Sequence, residues 1–198
     1  IAMSNTMGGA VNVAIIGEAD TLDPMISSKD VVGTVTQHIY ETLFTFDGSW
    51  APAPLLAESM PEVSSDGLTY TIKIRQGVNF HDGSSMDSAD VVDSLNRWLS
   101  IASRGKSVAS KVDSVSALDS HTVQIQLNEV YSPLLSLMSM NNAAAVIYPQ
   151  ENIKGADLAA PIGTGPYKVN EYKADQYLQL FRYDGYSSST SAIDGASG

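Results

Sequence analysis

Between Leu68 and Arg75 the chain alternates strictly. Leu68, Tyr70, Ile72 and Ile74 are apolar or aromatic, and Thr69, Thr71, Lys73 and Arg75 between them are polar. A period of two predicts a strand with one buried face. Gly77 and the Asp82-Gly83 pair follow as turn signals. Asp87 then stands as an N-cap with Asp90 three residues on, an acidic capping box, and Val91, Leu95, Trp98 and Leu99 fall on one helical stripe. This central run therefore reads as strand, turn and helix.

The same reading extends to both sides. Val11, Val13 and Ile15 alternate and predict a short strand over 11–17, closed by Asp23-Pro24 as a turn. A helix is expected from Ser28 or Asp30, with Val32, Val35, Ile39 and Leu43 on one face, broken before Pro52 and Pro54. Ile101 to Lys111 is polar and small, and reads as a flexible loop around Arg104-Gly105-Lys106. Val112–Leu118 and Thr122–Leu127 predict a hairpin across Asp119-Ser120. Ser132-Pro133 opens a short helix over Leu134–Met138, and Ala143–Tyr148 is a strand or buried segment. Two strands are expected near Tyr167–Tyr172 and Tyr177–Arg182, then a linker or tail from Ser187.

With 198 residues the chain can bury a sizeable core. A formal net charge of −11 argues against nucleic acid as a partner. With no cysteine there is no disulfide, thiolate metal site or thiol nucleophile. No apolar run approaches the ~20 residues of a membrane span, and the opening residues lack the pattern of a signal peptide.

Candidate chemistry is sparse. His38, His81 and His121 are scattered without ligand spacing, so no metal or cofactor is expected. Asp87 and Asp90 are accounted for by capping and Asp93 by a solvated face, and no serine sits in a nucleophile elbow. Gly163-Thr164-Gly165 lacks the rest of a phosphate loop and reads as a strand bend. Met138 and Met140 are either core filler or adaptable ligand contacts.

Several strings resemble family 5 of the extracellular solute-binding proteins, the binding components of dipeptide, oligopeptide and nickel ABC importers. Asp66, Gly67, Thr69, Tyr70, Thr71, Ile72, Ile74, Arg75, Gly77, Val78, Phe80, Asp82 and Gly83 follow that family's strand-and-turn pattern. Ala89, Asp90, Val91 and Arg97 follow its next helix. Further matches are Leu22-Asp23-Pro24, Tyr40-Glu41-Thr42-Leu43, Pro54 with Leu56-Ala57 and Ser59-Met60, and Pro161-Ile-Gly-Thr-Gly-Pro-Tyr167. Near Arg182–Tyr186 the family's tryptophan is replaced by Ser187.

The resemblance implies an α/β fold: the N-terminal lobe of a bilobal, type II periplasmic-binding-protein-like molecule, with the distal lobe absent. It implies a discontinuous core subdomain, 1–45 with 160–198, into which 46–159 is inserted as an α/β subdomain. It implies no enzyme but capture of a small solute, foremost a di- or oligopeptide, with a nickel chelate, opine or oligosaccharide as alternatives. A hydrolase using Asp or Ser and a structural or adhesive domain are the contrary classes. The expected partners are that ligand and the membrane subunits of an ABC importer. The chain itself is expected as a monomer able to self-associate through an exposed inner face. The expected location is periplasmic, or the cell surface as a lipoprotein. The segments that touch ligand are then Met25, Ile26, Ser27 and Ser28; Met140, Asn141 and Asn142; and Arg104 with Lys106.

Overall fold

The computed structural model describes residues 8–189. Its centre is a four-stranded antiparallel sheet of β3 (Glu62–Val63), β4 (Thr69–Lys73), β6 (Thr122–Leu127) and β5 (Val112–Asp119), in that order. β4 and β6 place Tyr70 opposite Ile125 and Ile72 opposite Val123, so the apolar sets of both strands share one face. Such cross-strand pairs are the stabilising unit of a sheet. Against that face lies α2 (Ser88–Ile101), which buries Val91, Leu95 and Trp98. The acidic capping box is present in full. Asp87 accepts from the amides of Ala89 and Asp90, and Asp90 accepts from the amide of Asp87. The strand, turn and helix expected of the central run are all observed.

Around this layer the chain adds short elements. The first are α1 (Asp30–Thr36) and the ribbon of β1 (Phe44–Phe46) with β2 (Pro52–Pro54). Next come α3 (Ser103–Ala109) and α4 (Leu134–Met138), then the small pair β7 (Ile153–Lys154) and β8 (Asp157–Leu158). The hairpin β9 (Tyr167–Lys173) with β10 (Tyr177–Arg182) closes the described chain. One apolar cluster runs from Met25 to Tyr148, with Val169 and Leu180 packed against it. Among the described residues no helix is long and apolar enough to cross a membrane.

Four expectations need correction. Residues 11–15 form no strand, and Val11, Val13, Ile15 and Ile16 are exposed. Alternation yields a strand only where a neighbouring edge supplies hydrogen bonds, and among the described residues none does so here. The first helix stops at Thr36 instead of running on through Leu43. The carbonyls of His38, Ile39 and Glu41 instead accept from distant chain: Gly165 N–H to Ile39 O (2.8 Å), Tyr167 N–H to His38 O (3.0 Å), Ile147 N–H to Glu41 O (3.0 Å).

The expected loop around Arg104 is the helix α3. Gly105 is there because α3 folds directly back on α2: a Cβ at this position would lie 1.9 Å from Trp98 O. Finally, the expected tail is anchored at its start. Arg75 Nη2 donates to Ser187 O (2.7 Å), Ser187 Oγ (2.8 Å) and Ser188 O (3.0 Å). The rest of that tail, from 190, lies outside the described residues, as do 1–7.

Candidate functional site

Two family strings meet in a buried frame. Asp23 and Arg97 form a two-pronged ion pair, Nη2 to Oδ2 at 2.6 Å and Nη1 to Oδ1 at 3.2 Å. Tyr148 donates its hydroxyl to Asp23 Oδ1 (2.7 Å), and the Arg97 guanidinium lies over the Tyr148 ring. Met25 is packed into this frame, with its sulfur 3.4 Å from Arg97 Nη1 and its side chain 1% exposed. Met25 therefore presents no surface to a solute, in contrast to the sequence expectation. It is a frame residue.

The other segments named from the sequence come together with one another. Ala143 N–H donates to Ser27 O (3.2 Å), joining 26–28 to 140–142. Arg104, on α3, reaches the same place. Its Nε donates to Asn142 O (2.9 Å) and to Asn142 Oδ1 (3.0 Å), and its Nη2 to Asn142 Oδ1 (2.6 Å). The Asn142 amide nitrogen in turn donates to Ser28 O (3.4 Å) and Asp30 Oδ1 (3.3 Å). Ile26 and Ser28 are exposed on this face, and Lys106 is exposed on α3 but makes none of these contacts.

Met140 and Asn141 line a cavity of about 300 Å³, together with Tyr40, Glu41, Thr45 and Trp50. Backbone strain gathers at this site. Three non-glycine residues among those described have positive φ; Trp50 (62°) lines the cavity and Ala143 (46°) follows Asn142. A left-handed residue costs about 1–2 kcal/mol and persists where its surroundings fix it. At Ala143 that fixing comes from Ser27 on one side and from Trp98 Nε1, which donates to Ala143 O at 2.8 Å, on the other.

Sequence reasoning missed Glu41. It is 3% exposed and contributes to the cavity wall. Its Oε1 accepts from Thr164 Oγ1 (2.9 Å) and its Oε2 from Tyr186 OH (3.3 Å). Burial pushes its carboxyl up to about 7, against the pull of these two bonds and of the Arg75 charge. The available signal was a lone acid inside the apolar run Ile39–Phe44.

His81, expected beside a turn without metal spacing, braces the same Gly163–Gly165 bend. Its Nε2–H donates to Gly165 O (2.8 Å), and its Nδ1 accepts from Gly163 N–H (3.3 Å). Those roles require the neutral ring, and burial lowers its pKa accordingly. Among the described residues no group of three His, Asp or Glu is placed to hold a metal ion.

Comparison with known proteins gives a consistent result. Residues 51–196 match the family model described as bacterial extracellular solute-binding proteins, family 5 Middle. The glutathione-binding protein GsiB of Pectobacterium atrosepticum is 32% identical over 178 residues, which is 88% of this chain and 34% of that protein. The chain thus spans about a third of the length of the curated relatives it matches.

The oligopeptide-binding protein AppA of Bacillus subtilis, solved with a nonapeptide, superposes with a TM-score of 0.77 at 29% identity. The match covers 87% of this chain and 36% of that one. The periplasmic binding protein DppA of Helicobacter pylori, solved with the peptide STSA, gives 0.74 at 26% identity, over 85% and 38%. These relatives are binding proteins, not enzymes.

Proposed function

The chain belongs to family 5 of the bacterial extracellular solute-binding proteins, and from that premise we propose that it captures a small extracytoplasmic solute for an ABC importer. Di- or oligopeptides, glutathione among them, are the solute class we favour. The observation that supports this reading is the convergence of Ser27, Ser28, Arg104 and Asn142, with Met140 and Asn141 beside them on the cavity wall. The Arg104 guanidinium and the Asn141 amide suit peptide carbonyls and carboxylates. The named ligands of the relatives, glutathione, a nonapeptide and the peptide STSA, are of the same chemistry.

The location follows the family and is outside the cytoplasm, either free in a periplasm or tethered by lipid. We also propose the division into 1–45 with 160–198 and an inserted 46–159. Its support is that the chain returns at Gly163–Tyr167 to bond His38, Ile39 and Glu41. Equilibrium dialysis of the chain at millimolar concentration against a peptide panel that includes glutathione, followed by mass spectrometry of the recovered peptides, tests the function. Retention of intact peptide supports capture. Cleaved peptide, or no retention of any member, contradicts it.

A further inference from the structure

Asn142 separates two charges that do not neutralise each other. Its amide oxygen takes two bonds from Arg104, and its amide nitrogen gives one to Asp30 Oδ1. With those bonds made the amide is spent. The charged groups on either side are not. Nη1 of Arg104 makes no hydrogen bond among the described residues, and neither does Oδ2 of Asp30. Neither residue takes part in an ion pair there. Arg104 is half-buried and Asp30 exposed, so both remain reachable from solvent.

The two bonds through one planar amide keep Asp30 Oδ1 and Arg104 Nη2 within about 8 Å of each other. An α-amino acid carries ammonium and carboxylate on one carbon, about 3 Å apart. Charge-assisted bonds of about 2.8 Å at each end let such a head bridge groups up to that distance apart, with Asp30 Oδ2 and Arg104 Nη1 the atoms left to receive it. A simple carboxylate or a simple amine would satisfy one charge and leave the other facing only water.

We propose that Asp30 and Arg104, held apart and oriented by Asn142, form a receptor for the zwitterionic head of an α-amino acid. The head is that of a free amino acid or of a peptide linked through its side chain, so that both charges stay on one carbon. Arg104 takes the carboxylate and Asp30 the ammonium. The inference rests on the solute-capture reading above and specifies the end of the solute that this face grips.

The test is an NMR titration of the 198-residue chain with glycine, acetate and methylammonium, following the Asn142 side-chain amide and the Arg104 Nε–H. Glycine is expected to shift both signals with saturation in the millimolar range, at least about tenfold tighter than either singly charged probe. Asp30→Asn and Arg104→Gln are each expected to weaken glycine about tenfold, with the signals of β4 and β6 unmoved as a control for folding. Equal response to acetate and glycine, or no response to glycine, overturns the proposal. The two readings fail separately: peptides that shift 26–28 and 140–142 while glycine does not would leave solute capture standing and remove only the zwitterion receptor.

Discussion

Thr164 donates its hydroxyl to the buried carboxyl of Glu41, Oγ1 to Oε1 at 2.9 Å. This bond ties the bend at Gly163–Gly165 to the wall of the cavity, and it makes the fold answer to pH. With the Glu41 pKa raised to about 7 from an ordinary 4.5, the folded chain holds a proton that the unfolded chain releases. The stabilisation is fully present below 4.5 and is lost as the pH rises through about 7. Its full size is roughly 3 kcal/mol. Glu41→Gln should remove this slope, so that urea unfolding above neutrality shows a variant more stable than the parent.

His81 acts with the opposite sign. Its pKa lies below the usual 6.5, so its contribution is present above that value and is lost as the pH falls below it. Protonation at Nδ1 would eject the Gly163 N–H it accepts. His81→Ala should cost about 1–3 kcal/mol at neutral pH, because Gly163 N–H and Gly165 O lose their partner. It should cost less in mild acid, and denaturant titrations at the two pH values check this.

Gly163 has no room for a side chain. A Cβ there would sit 2.3 Å from Ile39 O and 2.6 Å from the Tyr40 ring. Gly163→Ala should therefore destabilise by about 1–3 kcal/mol, the range for overpacking, and should lower the thermal midpoint correspondingly.

The Asp23–Arg97 pair should be costly to break from either side. Arg97→Met leaves a buried carboxylate facing Tyr148, and a loss of about 3–5 kcal/mol is expected by chemical denaturation. Replacing both partners by apolar residues should recover part of that loss.

What the sequence revealed and what it hid follow from how local each cause is. The Asp87–Asp90 capping box and the Tyr70 and Ile72 alternation are written within a few residues, and both are observed. Ile39 to Phe44 could not be read the same way. Its apolar positions fit a helical stripe, yet the chain turns at 37–39 and then bonds both to nearby Leu55, Leu56 and Ala57 and to Ile147 and Gly165, more than a hundred residues away. A short apolar run does not distinguish these cases by period alone. The polar look of 103–107 hid a helix because Gly105 answers to Trp98, not to its own neighbours.

At the site, the segments around Ser27, Asn142 and Arg104 could be named from the family pattern. That Asn142 is held by Arg104 and Asp30, and that Met25 is buried against Arg97, became visible only in three dimensions.

Noncovalent solute capture is proposed at the face formed by Ser27, Ser28, Arg104, Asn141 and Asn142. The most direct measurement is a two-dimensional NMR titration of the chain with glutathione and short peptides. An open face leaves every polar contact in competition with water, so binding in the millimolar range is expected. Shifts are expected to concentrate at 26–28, 104 and 140–142, with the solute recovered unchanged. Shifts confined to any other surface, or consumption of the solute, would contradict it.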